Sequence, residues 1–145
     1  MKKGVFSKAF TAVELIISVL VIAVLAEIII PHFMNQRTGA RATSISTMTY
    51  AVRSGVLLAI KKYHVQQLPT SMSVVLNGKT VRVGMRTGFP TGDITGIGTA
   101  IGSINGFASN YGELTTTFEL VPAVVNCHVT YWPSSGQVLP TFSGC

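Results

Sequence analysis

Residues 10–30 read FTAVELIISVLVIAVLAEIII. The run is about 21 residues long, and as a helix it spans ~31 Å, the thickness of a bilayer's hydrocarbon core. Lys2, Lys3 and Lys8 stand on its N-terminal side. By the positive-inside rule they hold that end in the cytoplasm and send the rest of the chain outward. Glu14 does not suit a membrane helix. It lies about one turn into the apolar run, where an unpaired carboxylate costs several kcal/mol and by default marks function.

A secretory signal would be cut after the apolar run, at small residues. Here the run ends at Pro31-His32-Phe33, with no such site. A plain signal anchor fits the length and the charge but gives Glu14 no role. The stretch Lys8-Ala9-Phe10-Thr11-Ala12-Val13-Glu14-Leu15 resembles the class III signal of type IV prepilins. In that family a basic leader is cut before a Phe, which becomes an N-methylated terminus, and a Glu follows four residues later. The resemblance implies a cut between Ala9 and Phe10, methylation of Phe10, a helix-breaking Pro31, and assembly through Phe10 and Glu14. Ala9 stands where the family usually has Gly, and Ala23 occupies the region of its mid-helix glycine.

Elementary electrostatics gives Glu14 a task. A free amine on Phe10 would sit at the positive end of a helix, where it is unfavourable. A carboxylate four residues on lies on the same face and offsets it, within one subunit or between neighbours. Glu27 has no counterpart in the family pattern. It lies ~26 Å along the helix from Phe10. Two readings stand: an interfacial carboxylate reaching water beside a kink, or a second intersubunit contact to Arg37 or Arg41.

Beyond Pro31 the pattern stays helical. Ile45, Met48, Val52, Val56, Ala59 and Tyr63 recur at spacings of three and four, a stripe of packing residues. One helix from Phe10 to near His64, kinked at Pro31, is expected, locally weakened by Gly39 and Gly55. Leu68-Pro69-Thr70 ends it. Ser73–Leu76 and Thr80–Met85 flank Asn77-Gly78, a strong hairpin signal. Arg86–Gly106 reads as loop with a short helix near Thr99–Ile104. Thr115–Val121, Cys127–Trp132 and Gln137–Phe142 read as strands. The expected class is α+β, a long helix packed on a four- to five-stranded antiparallel sheet; the resemblance makes this the type IV pilin fold. The divisions are a leader (1–9), a membrane or filament-core helix (10–31), the amphipathic half of the helix (32–66) and a β-rich head (67–145).

Cys127 and Cys145 are the only cysteines. In an exported chain an even pair reads as a disulfide, in a cytosolic one as two free thiols. A bridge would clasp the final hairpin. Gly88-Phe89-Pro90-Thr91-Gly92 with Gly96-Ile97, and Asn126-Cys127-His128-Val129-Thr130-Tyr131, are similar to mannose-sensitive haemagglutinin type pilins. That resemblance implies surface attachment.

Only 11% of the 145 residues are charged and 48% are hydrophobic, far from the roughly one-quarter charged of soluble domains. Losing Lys2, Lys3 and Lys8 lowers the net charge from +6 to about +3. The remaining bases are scattered, with no aromatic-interleaved run, so nucleic acid is not the expected partner. Asp93, Glu113 and Glu119 are spread out, and His32, His64 and His128 lack metal-ligand spacing. Gly96–Gly102 lacks the strand and acid that a dinucleotide loop needs. No enzyme, cofactor or metal is expected. The reading is a pilus subunit: a helical homo-oligomer, held in the inner membrane with its head in the periplasm before assembly, and served by a prepilin peptidase and an assembly machinery. The alternatives are a type II secretion pseudopilin and an anchored periplasmic binding protein that never polymerises.

Overall fold

The computed structural model describes residues 11–66 and 71–145, without the side chains of 27–35. The chain forms two compact units, Met1–Arg37 and Thr38–Cys145. Helix α1, Ala12–Val65, contributes to both. It passes through position 31 as one unbroken helical element; the side-chain setting of Glu27 and the junction of Ala9 with Phe10 lie outside the described residues.

In the first unit α1 presents apolar side chains to solvent all round. Val13, Leu15, Ile16, Ile17, Leu20 and Ile22 are each more than half exposed. Among the described residues no helix is long and apolar enough to cross a membrane. The described side chains of the apolar run cover 11–26, less than the 10–30 from which a span was expected.

In the second unit all six residues of the helical stripe are buried. They divide between two cores. Ile45, Met48, Val52 and Val56 join Ile97, Phe118, Val129, Tyr131 and Val138. Ala59 and Tyr63 join Val74, Val81 and Val83. Each of Ile45, Met48, Val52 and Val56 contributes about 1.5–3 kcal/mol when fully buried, so the stripe fixes the helix to the head.

Strands β1 (Ser73–Leu76) and β2 (Lys79–Arg82) form an antiparallel hairpin. Its turn is Asn77-Gly78, with φ of 48° and 76°. Both residues sit in the left-handed region that a tight two-residue hairpin requires and that Asn and Gly tolerate. A second sheet has the order β3-β4-β5-β6, all antiparallel: Phe107–Asn110, Thr116–Leu120, His128–Trp132 and Gln137–Thr141. Pro140 lies in edge strand β6, where a missing donor is tolerated.

The expected α+β class holds, but the single sheet of four or five strands does not. Among the described residues there are two sheets, of two and four strands. The expected strand Thr80–Met85 stops at Arg82. Val83 then makes one bridge to Pro90, and the chain turns at Gly84–Phe89. That turn folds the backbone back beside the end of β2, where the Thr91 N–H donates to the Arg82 carbonyl at 3.0 Å, and the hairpin packs its apolar face on Ala59 and Tyr63 of α1 instead of extending the larger sheet. Strand β3 was not expected; Phe-Ala-Ser-Asn has little strand propensity, and pairing with β4 alone defines it. The short helix expected near Thr99–Ile104 is present as α2, Thr99–Ile101, and it is preceded by a π-helical turn, Ile94–Gly98, that was not expected.

Gly55 has a packing role that its helix propensity conceals. A Cβ there would lie 3.1 Å from the carbonyl oxygen of Ala100. Its absence lets α2 approach α1. Gly55→Ala should therefore destabilise the head by about 1–3 kcal/mol through overpacking, although in an open helix the change would stabilise by about 1 kcal/mol. Urea unfolding followed by Trp132 fluorescence measures the sign; a stabilised variant would refute the packing role.

Candidate assembly site

The first turn of α1 holds Glu14 in a reciprocal set of hydrogen bonds. The Thr11 N–H and hydroxyl donate to Glu14 Oε2 at 3.1 and 3.0 Å. The Glu14 N–H donates back to Thr11 Oγ1 at 3.3 Å. This is a capping box: two backbone donors that the helix leaves unpaired are satisfied by two side chains. The Ser18 hydroxyl donates to the Glu14 carbonyl at 2.7 Å. Thr11 went unremarked in the sequence, yet Thr-x-x-Glu ahead of an apolar run is the signal that finds it. The predicted partner of Glu14, the Phe10 amine, lies outside the described residues, as do Ala9 and the methylation site.

The chemistry of this turn is simple. Glu14 supplies the one charge on a surface from Val13 to Leu25 that is otherwise apolar except for Ser18. Among the described residues its Oε2 accepts from two donors of Thr11. A carboxylate has the capacity to accept further donors, a cation included.

The C-terminal site residues do come together. Cys127 and Cys145 form a disulfide. Cys127 is fully buried beneath the first core. The Gly144 N–H donates to the Asn126 carbonyl at 2.9 Å, so backbone and sulfur together fasten the terminus.

The polar residues of the loop region organise backbone. Asp93 caps the π-helical turn: Oδ1 accepts from the Thr91 hydroxyl at 2.6 Å and from the Gly96 N–H at 2.7 Å. Oδ2 accepts from Thr95 at 3.0 Å and pairs with Arg82 Nη1 at 3.4 Å. Tyr131 donates to the Pro90 carbonyl at 2.7 Å, and Thr116 to that of Gly92 at 2.8 Å. Burial pushes the Tyr131 hydroxyl well above the usual tyrosine range, so it stays a donor. Among the described residues no group of three or more His, Cys, Asp or Glu is placed to hold a metal.

Partial burial alone would raise the Asp93 carboxyl, but the hydrogen bonds from Thr91, Thr95 and Gly96 and the Arg82 charge outweigh it and hold its pKa below the ordinary value. A carboxylate with a depressed folded pKa adds stability that is complete above its unfolded pKa of about 3.9 and disappears as pH falls through the folded value. The wild-type head should therefore lose stability below about pH 4 more steeply than Asp93→Asn. Urea midpoints taken across that window give the comparison, and parallel curves would remove Asp93 from the account.

No protein-family model, curated protein or solved structure matches the chain.

Proposed function

We propose that this chain is a type IV pilin: a subunit stored in the inner membrane, cut between Ala9 and Phe10, and assembled into a helical surface filament. The observation that carries the reading is the pairing of unlike halves within α1. From Val13 to Leu25 the helix exposes apolar side chains broken by one carboxylate near the start. From Ile45 to Tyr63 the same helix buries a stripe against a disulfide-closed α+β head. Apolar surface of that extent is not left in water by a stable protein. Lipid covers it before assembly and other copies of the same helix cover it afterwards. Glu14 is then the one charged group that a neighbour's Phe10 amine must meet, which sets the register of each incoming subunit.

The disulfide supports an oxidising compartment for the head. The similarity of residues 88–97 and 126–131 to mannose-sensitive haemagglutinin type pilins supports attachment to surfaces as the filament's task. Catalysis has no part in this reading, which needs neither cofactor nor metal.

Mass spectrometry of filaments sheared from the producing cell tests the whole proposal. The expected species is a chain beginning at N-methylated Phe10, with Cys127 bonded to Cys145. A cut chain confined to the periplasm, never on the surface, would instead identify a type II secretion pseudopilin. An uncut monomer beginning at Met1 would identify an anchored protein that does not polymerise.

A further inference from the structure

Between the end of α1 and the hairpin lies an open cleft of about 370 Å³ lined by Leu58, Lys61, Lys62, Val65 and Val75. It is apolar at its walls and basic at its rim. Leu58 is 49% exposed, Val65 78% and Val75 49%. Among the described residues the one ion pair is Arg82 with Asp93, so neither Lys61 nor Lys62 has an acid within the head. Elsewhere on the head, between β3 and β4, Glu113 and Leu114 have the complementary character. Leu114 is 83% exposed, and Glu113, at the edge of a cleft that Arg82 also lines, makes no ion pair among the described residues. The knob and the cleft share no residue.

We infer that the Glu113–Leu114 knob of one subunit docks in the Leu58–Val65 cleft of the next, with Glu113 between Lys61 and Lys62. The inference rests on the filament reading and names a head contact within it. Charge selects the occupant. Two copies of the cleft would bring lysines against lysines, which disfavours a two-fold contact. A basic, apolar recess is matched by an acidic, apolar projection, and this chain carries one. Because the two patches are different, the contact is head-to-tail and leaves a free patch at each end, so it propagates instead of closing as a dimer. Apolar insertion supplies affinity, and the lysine pair supplies register and partner choice.

The test uses filaments of the full chain. A carbodiimide, which joins a carboxylate to an amine already in contact, is expected to produce a dimer band whose joined peptides contain Glu113 and Lys61 or Lys62. Glu113→Lys alone, and Lys61→Glu with Lys62→Glu, should each lower sheared filament at least about tenfold. All three together should restore most of it, because the charges are again opposite. Intact Cys127–Cys145 in each variant shows that the head has folded. Abundant filaments in which Glu113 joins no lysine, or joins one within its own copy, overturn the contact and leave the filament reading standing. A joined peptide from any other protein assigns the cleft to that partner and also overturns the contact. Absence of filaments from the wild-type chain overturns the filament reading, and the contact falls with it.

Discussion

If the chain is the pilin proposed above, Glu14→Gln is expected to abolish surface filaments while leaving the chain cut and folded. Glutamine keeps the capping box, because its amide oxygen still accepts from Thr11 as Glu14 does. The helix start is therefore preserved and only the charge is lost. Removing one partner of a buried ion pair costs about 3–5 kcal/mol, more than a hundredfold in the equilibrium for each added subunit. Glu14→Ala removes both charge and cap and should be no less severe. Electron microscopy counts the filaments, and N-terminal sequencing shows whether Phe10 has been exposed. If Glu14→Gln cells carry filaments in normal number, Glu14 is a helix cap and nothing more, and its place in assembly is lost.

The second large effect is expected at the other end of the chain. Cys127→Ala with Cys145→Ala opens a loop of sequence separation 18, which in the chain-entropy model stabilises by about 3 kcal/mol. Cys127 is also fully buried among Phe118, Val129 and Val138, so its loss leaves a small void as well. For a head of this size the melting temperature should fall by roughly 10–20 °C. Calorimetry of the double variant beside the reduced wild type separates the two contributions, since reduction opens the loop without emptying the site. An unchanged melting temperature would mean that β6 and the Gly144 contact to Asn126 hold the terminus unaided.

Much of the architecture could be read from the sequence because single elements carry strong periodic signals. The stripe from Ile45 to Tyr63 needed only its spacing, and Asn77-Gly78 needed only the conformations those residues accept. What could not be read was arrangement. Nothing in Phe107–Asn110 marks a strand, since β3 exists by virtue of its neighbour. Nothing in the hairpin sequence says that it stands apart from the larger sheet; after the turn at Gly84–Phe89 the chain returns beside β2 and runs through the π-helical turn and α2 before the larger sheet begins. Asp93 read as a stray acid because its partners Thr91, Thr95 and Gly96 become a cage only when the chain turns around it. The candidate site divides the same way. Glu14 was conspicuous by its setting, whereas Thr11 is visible only to a reader looking for helix starts.

The division of the stripe between two cores has a mechanical consequence. Ile45 to Val56 grip the four-stranded sheet, and Ala59 and Tyr63 grip the hairpin, one after the other along a single rod. Tension along α1 loads both attachments in shear, so the interlocked side chains must all slip together before the head gives way. Tension across the rod at the hairpin meets only the second attachment, which can peel first. The head therefore resists being dragged along its helix far better than being prised from it.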